Sequence, residues 1–464
     1  MRILYGIGVF LLTLFAVTPT FAQTLTADPS FGLGGYATLN FPTQQLNVSS
    51  TACLVPLPNK QIIAGCFASI VEGSGTIATR AHYKIYRLNE NGINDASFGI
   101  NGFTSLDLGP RSSVGLENTG RRLALQADGK IVGTVNKFND QLQAAGLMVF
   151  RLNSNGSVDS SFGTNGIVQI QAGFTSSGRC IIIQPDGKIV AAGYGHEGSL
   201  KAYLVVRLLP NGTPDNSFNG NGIKLFRLTN DWGANALIQQ PDGKLLIGGA
   251  NMLGANHDMM VYRLTANGSF DNSFNGTGWK SVEFGSASTD IVYDLALQTD
   301  NKILVAGHAS PNPDVITWGI ARLNANGTLD NSFDGDGKNT IEFGTPSTPA
   351  YSMAIQNNGK IVIAGGTETS PGNPANTDIA LGRLNANGTL DSSFNGTGRK
   401  VFNAVNSVDF ATNLVILQNG KLLLGGTRGL IPTVMQTNSV ALYGTDCAPV
   451  SVQVNQCYCL ITLI

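Results

Sequence analysis

Cys180-Ile181-Ile182-Ile183-Gln184-Pro185-Asp186-Gly187-Lys188-Ile189-Val190-Ala191-Ala192-Gly193 decides the fold. Two short apolar runs flank Asp-Gly, a strong local hairpin signal because a type I′ turn needs positive φ at both central residues. The runs are apolar at consecutive positions, as expected of strands covered on both faces. The same turn recurs as Asp128-Gly129-Lys130, Asp242-Gly243-Lys244, Asp300-Asn301-Lys302, Asn358-Gly359-Lys360 and Asn419-Gly420-Lys421, and more loosely as Pro58-Asn59-Lys60-Gln61.

Alternating with these turns is a second anchor, Asp-x-Ser-Phe, with its phenylalanine at Phe31, Phe98, Phe162, Phe218, Phe274, Phe333 and Phe394, spaced 56–67 residues apart. Between the anchors, six copies carry Arg-Leu followed by an Asn-Gly turn. Leu204–Leu208 reads as a third strand and Gly222–Phe226 as a fourth. Four short strands per repeat without helical periodicity make one blade, so the expected fold is all-β, a seven-bladed β-propeller of four-stranded antiparallel blades. The chain opens on the tail of a unit, Asp28-Pro29-Ser30-Phe31, and its last unit stops after Val440–Tyr443. The N-terminal segment is therefore expected to complete the last blade and close the ring, removing an open sheet edge.

Composition fits a turn-rich β protein: 57 glycines, 42% hydrophobic and only 13% charged residues, with a net charge of −1. That balance carries no electrostatic footprint for nucleic acid. Residues 1–22 have a positive start, an apolar run and small residues before Gln23, the pattern of an export signal. The expected organisation is a signal peptide at 1–22, the propeller at 23–445, and a tail at 446–464 bearing Cys447, Cys457 and Cys459. No transmembrane segment is expected in the mature chain, and the tail looks too short for a sorting domain. These features together predict a secreted or cell-surface protein of bacterial type.

The Asp-Gly-Lys and Asn-Gly-x-x-Asp-x-Ser-Phe-Gly signatures resemble the bacterial delta-60 repeat over about residues 24–443. The resemblance implies a propeller and an extracellular setting, and no particular activity or ligand.

The recurrent Arg stands eight residues before the recurrent Asp in six copies, Arg87/Asp95 to Arg383/Asp391, across an Asn-Gly turn. Repeated six times, the pair reads as a structural link between blades. Asp330-Asn331-Ser332-Phe333-Asp334-Gly335 imitates the start of a calcium loop, but Ile341 occupies the twelfth position where a bidentate Glu is required. No metal and no cofactor are expected. His82, His196, His257 and His308 show no ligand spacing.

Sequence variation concentrates at 66–82, 133–147, 307–317, 366–378 and 426–438, connections that share one face of a propeller. Candidate ligand-binding residues there are Tyr194, His196, Trp232, His257, His308 and Trp318, suited to a polysaccharide or an extracellular protein. The leading functional expectation is a non-enzymatic exported scaffold or binding module. The alternative is a carbohydrate-active hydrolase or lyase with carboxylates near the central channel, Asp290 and Asp294 first among them. A two-residue turn at Asn59-Lys60 would also set Cys53 opposite Cys66, close enough for a disulfide, and Gly193 opposite Cys180, leaving Cys180 a free buried thiol.

Overall fold

A computed structural model describes residues 25–33, 35–39, 46–47, 53–71, 79–110, 121–139, 144–253, 256–285, 289–312, 315–343, 347–368, 377–402, 409–429, 436–445 and 459–463. The expected signal peptide, Cys447, Cys457 and the tips of several variable connections lie outside these residues.

The described residues form seven sheets in tandem, antiparallel but for one parallel pairing in the last, and no helix among them is long and apolar enough to cross a membrane. The third sheet shows the plan. Ser177–Ile183, Ile189–Glu197, Leu200–Leu208 and Ile223–Phe226 pair in chain order. Their central residues are buried on both faces because a neighbouring sheet covers each side. Each apolar cluster accordingly joins two sheets: Cys180, Val190, Tyr203 and Phe218 of the third pack against Ala234, Leu237 and Ile247 of the fourth. At the chain ends, Leu423 packs with Phe31, Leu54 and Ile62.

The hairpin turn differs from the expected type I′. Gln184 N–H donates to the Lys188 carbonyl (2.8 Å), Gly187 N–H donates to the Gln184 carbonyl (2.9 Å), and of Asp186 and Gly187 only the glycine takes positive φ, +82°. The turn therefore holds five residues, closed by a bulge glycine, and strand pairing begins at Ile183 opposite Ile189. Every pairing inferred from a two-residue turn shifts by one. Cys180 faces Ala192 and is indeed a free buried thiol. In the first sheet Lys60 takes the glycine's place (φ 65°), and Cys53 faces Gly65 instead of Cys66. The slip turns the two thiols to opposite faces of the sheet. Cys53 packs with Tyr83 and Leu123 toward the second sheet, whereas Cys66 packs with Phe31 and Leu423; both are free.

The recurrent Arg and Asp meet in all six copies at 2.6–2.8 Å, Nε to carboxylate. Arg207 illustrates the clasp. Its Nε donates to Asp215, its Nη1 donates to the Ala266 carbonyl in the next sheet, and its guanidinium lies 4.8 Å from the Phe218 ring. That ring sits under Gly268 (φ +88°), where a Cβ would come within 3.0 Å of it. The turn lysine joins from behind, Lys188 to Asp215 at 3.6 Å, with Gln61 replacing it in the first sheet, bonded to Asp95 at 3.0 Å. In the last sheet the lysine is Lys421, and the carboxylate it pairs with is Asp28 from the other end of the chain. Buried pairs of this kind fix register more than they add stability.

The last sheet receives three further strands. Leu25–Ala27 pairs with Gln436–Thr445, setting Ala27 beside Tyr443. Tyr36–Leu39 pairs with Cys459–Leu463, which also pairs with Leu423–Gly425. The tail expected at 446–464 thus contributes a strand to this sheet. The variable stretches are also less loop-like than expected: Ile303–Asn312 and Val315–Leu323 are one long hairpin across 307–317, so variation falls on strand ends.

Candidate functional site

The first strands of neighbouring sheets pack side by side, Cys53–Pro56 between Leu123–Leu125 and Phe410–Ile416. Five of them carry a β-bulge at the same place, where pairing skips one residue: Arg179, Asn235, Tyr293, Tyr351 and Thr412. A bulge re-aims the unpaired side chain. The result here is a narrow central space lined by Arg121, Asn235, Tyr293, Tyr351 and Thr412, with Asp294 in its wall.

Asp294 is only 5% exposed and fully engaged. Its Oδ2 accepts from Arg121 Nη2 (3.0 Å), Met353 N–H (2.8 Å) and Ser352 Oγ (3.4 Å), and its Oδ1 from Leu295 N–H (2.9 Å). Arg121 reaches it across the space, so the carboxylate without a sequence partner has one from three sheets away. The charge of Asp294, followed by its hydrogen bond, holds the Arg121 guanidinium above its ordinary pKa against burial. Although enclosed by protein, Arg121 keeps 47% of its side-chain surface accessible, as a group facing an open lumen does. Asp290 is completely buried and accepts the backbone N–H groups of Phe284 (2.9 Å) and Ser310 (3.0 Å), which anchors a connection.

Four of the six candidate ligand residues come together beside this space. Arg179 lies 5.0 Å from the Tyr194 ring and donates to the Trp232 carbonyl (3.2 Å) and Asn235 Oδ1 (2.6 Å). Tyr194 meets His196 edge-on at 6.0 Å, and Trp232 meets His257 edge-on at 5.3 Å. Trp232 is 41% exposed, and Phe174, in the connection that leads into the third sheet, is 74% exposed. Tyr194 is buried, so it supports Arg179 from below.

The remaining two candidates lie elsewhere. Trp318 is fully buried in the core between the fifth and sixth sheets, against Phe343 at 4.7 Å, and is corrected from ligand residue to core residue. Its strand faces inward at that point, where the sequence suggested a loop. His308 pairs across the strand from Trp318, and burial pushes its imidazole down to a pKa of about 4.

Sequence reasoning passed over Arg121, Tyr293 and Tyr351. The signal was present: each stands five residues before the glutamine that opens the hairpin turn (Gln126, Gln298, Gln356), as Arg179 does before Gln184 and Asn235 before Gln240.

The calcium-like segment is occupied by its own chain. Asp330 accepts from Ser332 N–H and Oγ, from Lys302 and from Arg322. Burial opposes its ionisation, but these partners outweigh it and hold the carboxyl below the ordinary range.

Five segments, residues 126–162, 184–218, 240–274, 298–333 and 356–394, match the family described as "Domain of unknown function (DUF5122) beta-propeller". Each runs from the turn-opening glutamine to the phenylalanine of the clasp. The fold is that of a β-propeller. Solved structures with a similar fold include a protein of unknown function from Dyadobacter fermentans DSM 18053, at 10% identity and TM-score 0.47, covering 89% of this chain and 98% of that one. An α-L-arabinofuranosidase from Fusarium graminearum matches at 13% identity and TM-score 0.43, covering 69% and 91%. The polysaccharide lyase Uly1 matches at 12% and 0.45, covering 89% of each chain. No curated protein matches the sequence.

Proposed function

We propose that this propeller is an exported, non-enzymatic binding module: a closed ring of seven blades of the delta-60 kind, whose variable face binds a carbohydrate or protein ligand. Ring closure is supported by Lys421 and Asp28, which repeat between chain ends the pair that five other sheets make internally, and by Leu54 N–H donating to Asn413 (3.3 Å). The non-enzymatic reading is supported by Asp290 and Asp294, whose oxygens are taken up by backbone N–H groups and Arg121.

The observation that carries the binding site is Trp232. It is partly exposed, braced by His257, and tied through its carbonyl to Arg179 beside the central space. A fixed, accessible indole offers a flat apolar face at low entropic cost, which suits a sugar ring or a protein hot spot.

The test is a screen of the secreted mature protein against polysaccharides, scoring binding and turnover together. Binding that Trp232→Ala weakens at least tenfold, without turnover, supports the reading. Turnover of any polysaccharide overturns the non-enzymatic part, and binding unaffected by Trp232→Ala overturns the site. Export predicts a secreted chain starting at Gln23, read by intact mass.

A further inference from the structure

We propose that the central space is an oxyanion site, holding one carboxylate, sulfate or phosphate group between Arg121 and the hydroxyls of Tyr293 and Tyr351. The argument is a count of donors and acceptors. The acceptors in the wall are already used. Asp294 receives four donors, Asn235 Oδ1 receives Arg179, Asn413 Oδ1 receives Leu54 N–H, and Ser352 Oγ receives Leu414 N–H.

Donors remain over. Arg121 spends Nη2 on Asp294 and the Met353 carbonyl, and its Nε and Nη1 have no acceptor among the described residues. The hydroxyls of half-buried Tyr293 and Tyr351 have no partner there either. Arg179, 7% exposed, has its Nε buried without an acceptor. A ligand that completes this set brings acceptors and no donors. Two guanidiniums against one carboxylate leave the surroundings positive, so it also brings negative charge. The bulges make this a built feature, since each breaks strand pairing to point a polar or aromatic side chain inward.

The inference rests on the proposed binding function only in making the neighbouring face the ligand's way in. The experiment titrates the mature protein with sodium sulfate and, in parallel, sodium D-glucuronate, against sodium chloride at fixed ionic strength, following heat and melting temperature. Saturable binding of either probe is expected, with affinity reduced at least tenfold in Tyr293→Phe/Tyr351→Phe. That variant keeps the ring contact at 5.1 Å, so its ligand-free melting temperature stays within a degree or two of the parent's. Arg121→Lys, which preserves a cation for Asp294, also weakens binding. The relative affinity of the two probes separates a tetrahedral from a planar ligand group. No saturable effect beyond chloride, or parental affinity in the double variant, overturns the site. Sulfate binding that survives Trp232→Ala in a protein that binds no polysaccharide supports the oxyanion site while sinking the wider functional reading.

Discussion

Replacing Asp215 by alanine tests whether the recurrent clasp holds blades together. The carboxylate takes Arg207 Nε at 2.8 Å and Ser217 N–H and Oγ at 3.0 and 2.7 Å, with Lys188 at 3.6 Å. Arg207 and Asp215 side chains are 5% and 7% exposed. Removing one partner of a buried pair strands the other charge, at a cost of about 3–5 kcal/mol. Arg207 keeps the Ala266 carbonyl and Ser217 Oγ as acceptors, so the lower end, about 3 kcal/mol, is expected. Arg207→Met should cost less, because Asp215 keeps Lys188 and Ser217. The assay is urea unfolding at pH 7, comparing parent, Asp215→Ala, Arg207→Met and the double variant.

The pH dependence supplies an independent check. Burial works against ionisation of Asp215, but Ser217 and Arg207 outweigh it and hold the pKa below the ordinary value. A depressed carboxylate stabilises fully above its unfolded value, about 3.9, and loses that contribution as pH falls through the folded value. The gap between parent and Asp215→Ala should therefore narrow below pH 4. A loss under about 1 kcal/mol at pH 7, or a gap equally wide at pH 3, would refute the clasp as a blade-to-blade restraint.

Deleting residues 24–36 removes Asp28 and Phe31 together and should lower the melting temperature of the whole molecule; melting like the intact protein would contradict ring closure. His308, neutral in the fold with a pKa pushed down to about 4, should cost stability as pH falls from about 6.5 toward 4. The span corresponds to roughly 3 kcal/mol, and His308→Phe should flatten that limb in acid titrations of unfolding. Non-reduced digests should yield Cys53 and Cys66 peptides that are not joined to each other, and a bond between them would restore the two-residue turn.

The repeat was legible because its chemistry is local and recurs. Asp-Gly, Asn-Gly and Asp-x-Ser-Phe each specify a turn within a few residues, and the Arg–Asp spacing of eight survives six times over. Register was less legible. Asp186-Gly187 fits both a two-residue and a five-residue hairpin, and the choice depends on whether one or two residues take positive φ. That single step moved Cys66 to the far face.

The site was least legible, because the mark of a bulge, a position five before the turn-opening glutamine, carries residues as different as Arg179, Asn235 and Tyr293. Arg121 and Asp294 stand 173 residues apart, and only the arrangement of first strands brings them within hydrogen-bond distance. Trp318 misled for a related reason: a long hairpin carries buried positions up to the edge of a stretch that varies like a loop.

The pairing of Lys421 with Asp28 also sets a clock. The two residues are separated by 393 positions, so a chain made at about 5–20 residues per second emits the aspartate roughly 20–80 s before the lysine. Each internal clasp can form as soon as its own unit and the turn of the next have appeared. Phe31 can dock early, under Gly92 of the first sheet, but Asp28 and the strand at Leu25–Ala27 must wait until Lys421 and the strand at Gln436–Thr445 have been made. The strand at Leu25–Ala27 is thus made long before its partner, and through that interval it needs protection from pairing with the wrong sheet edge.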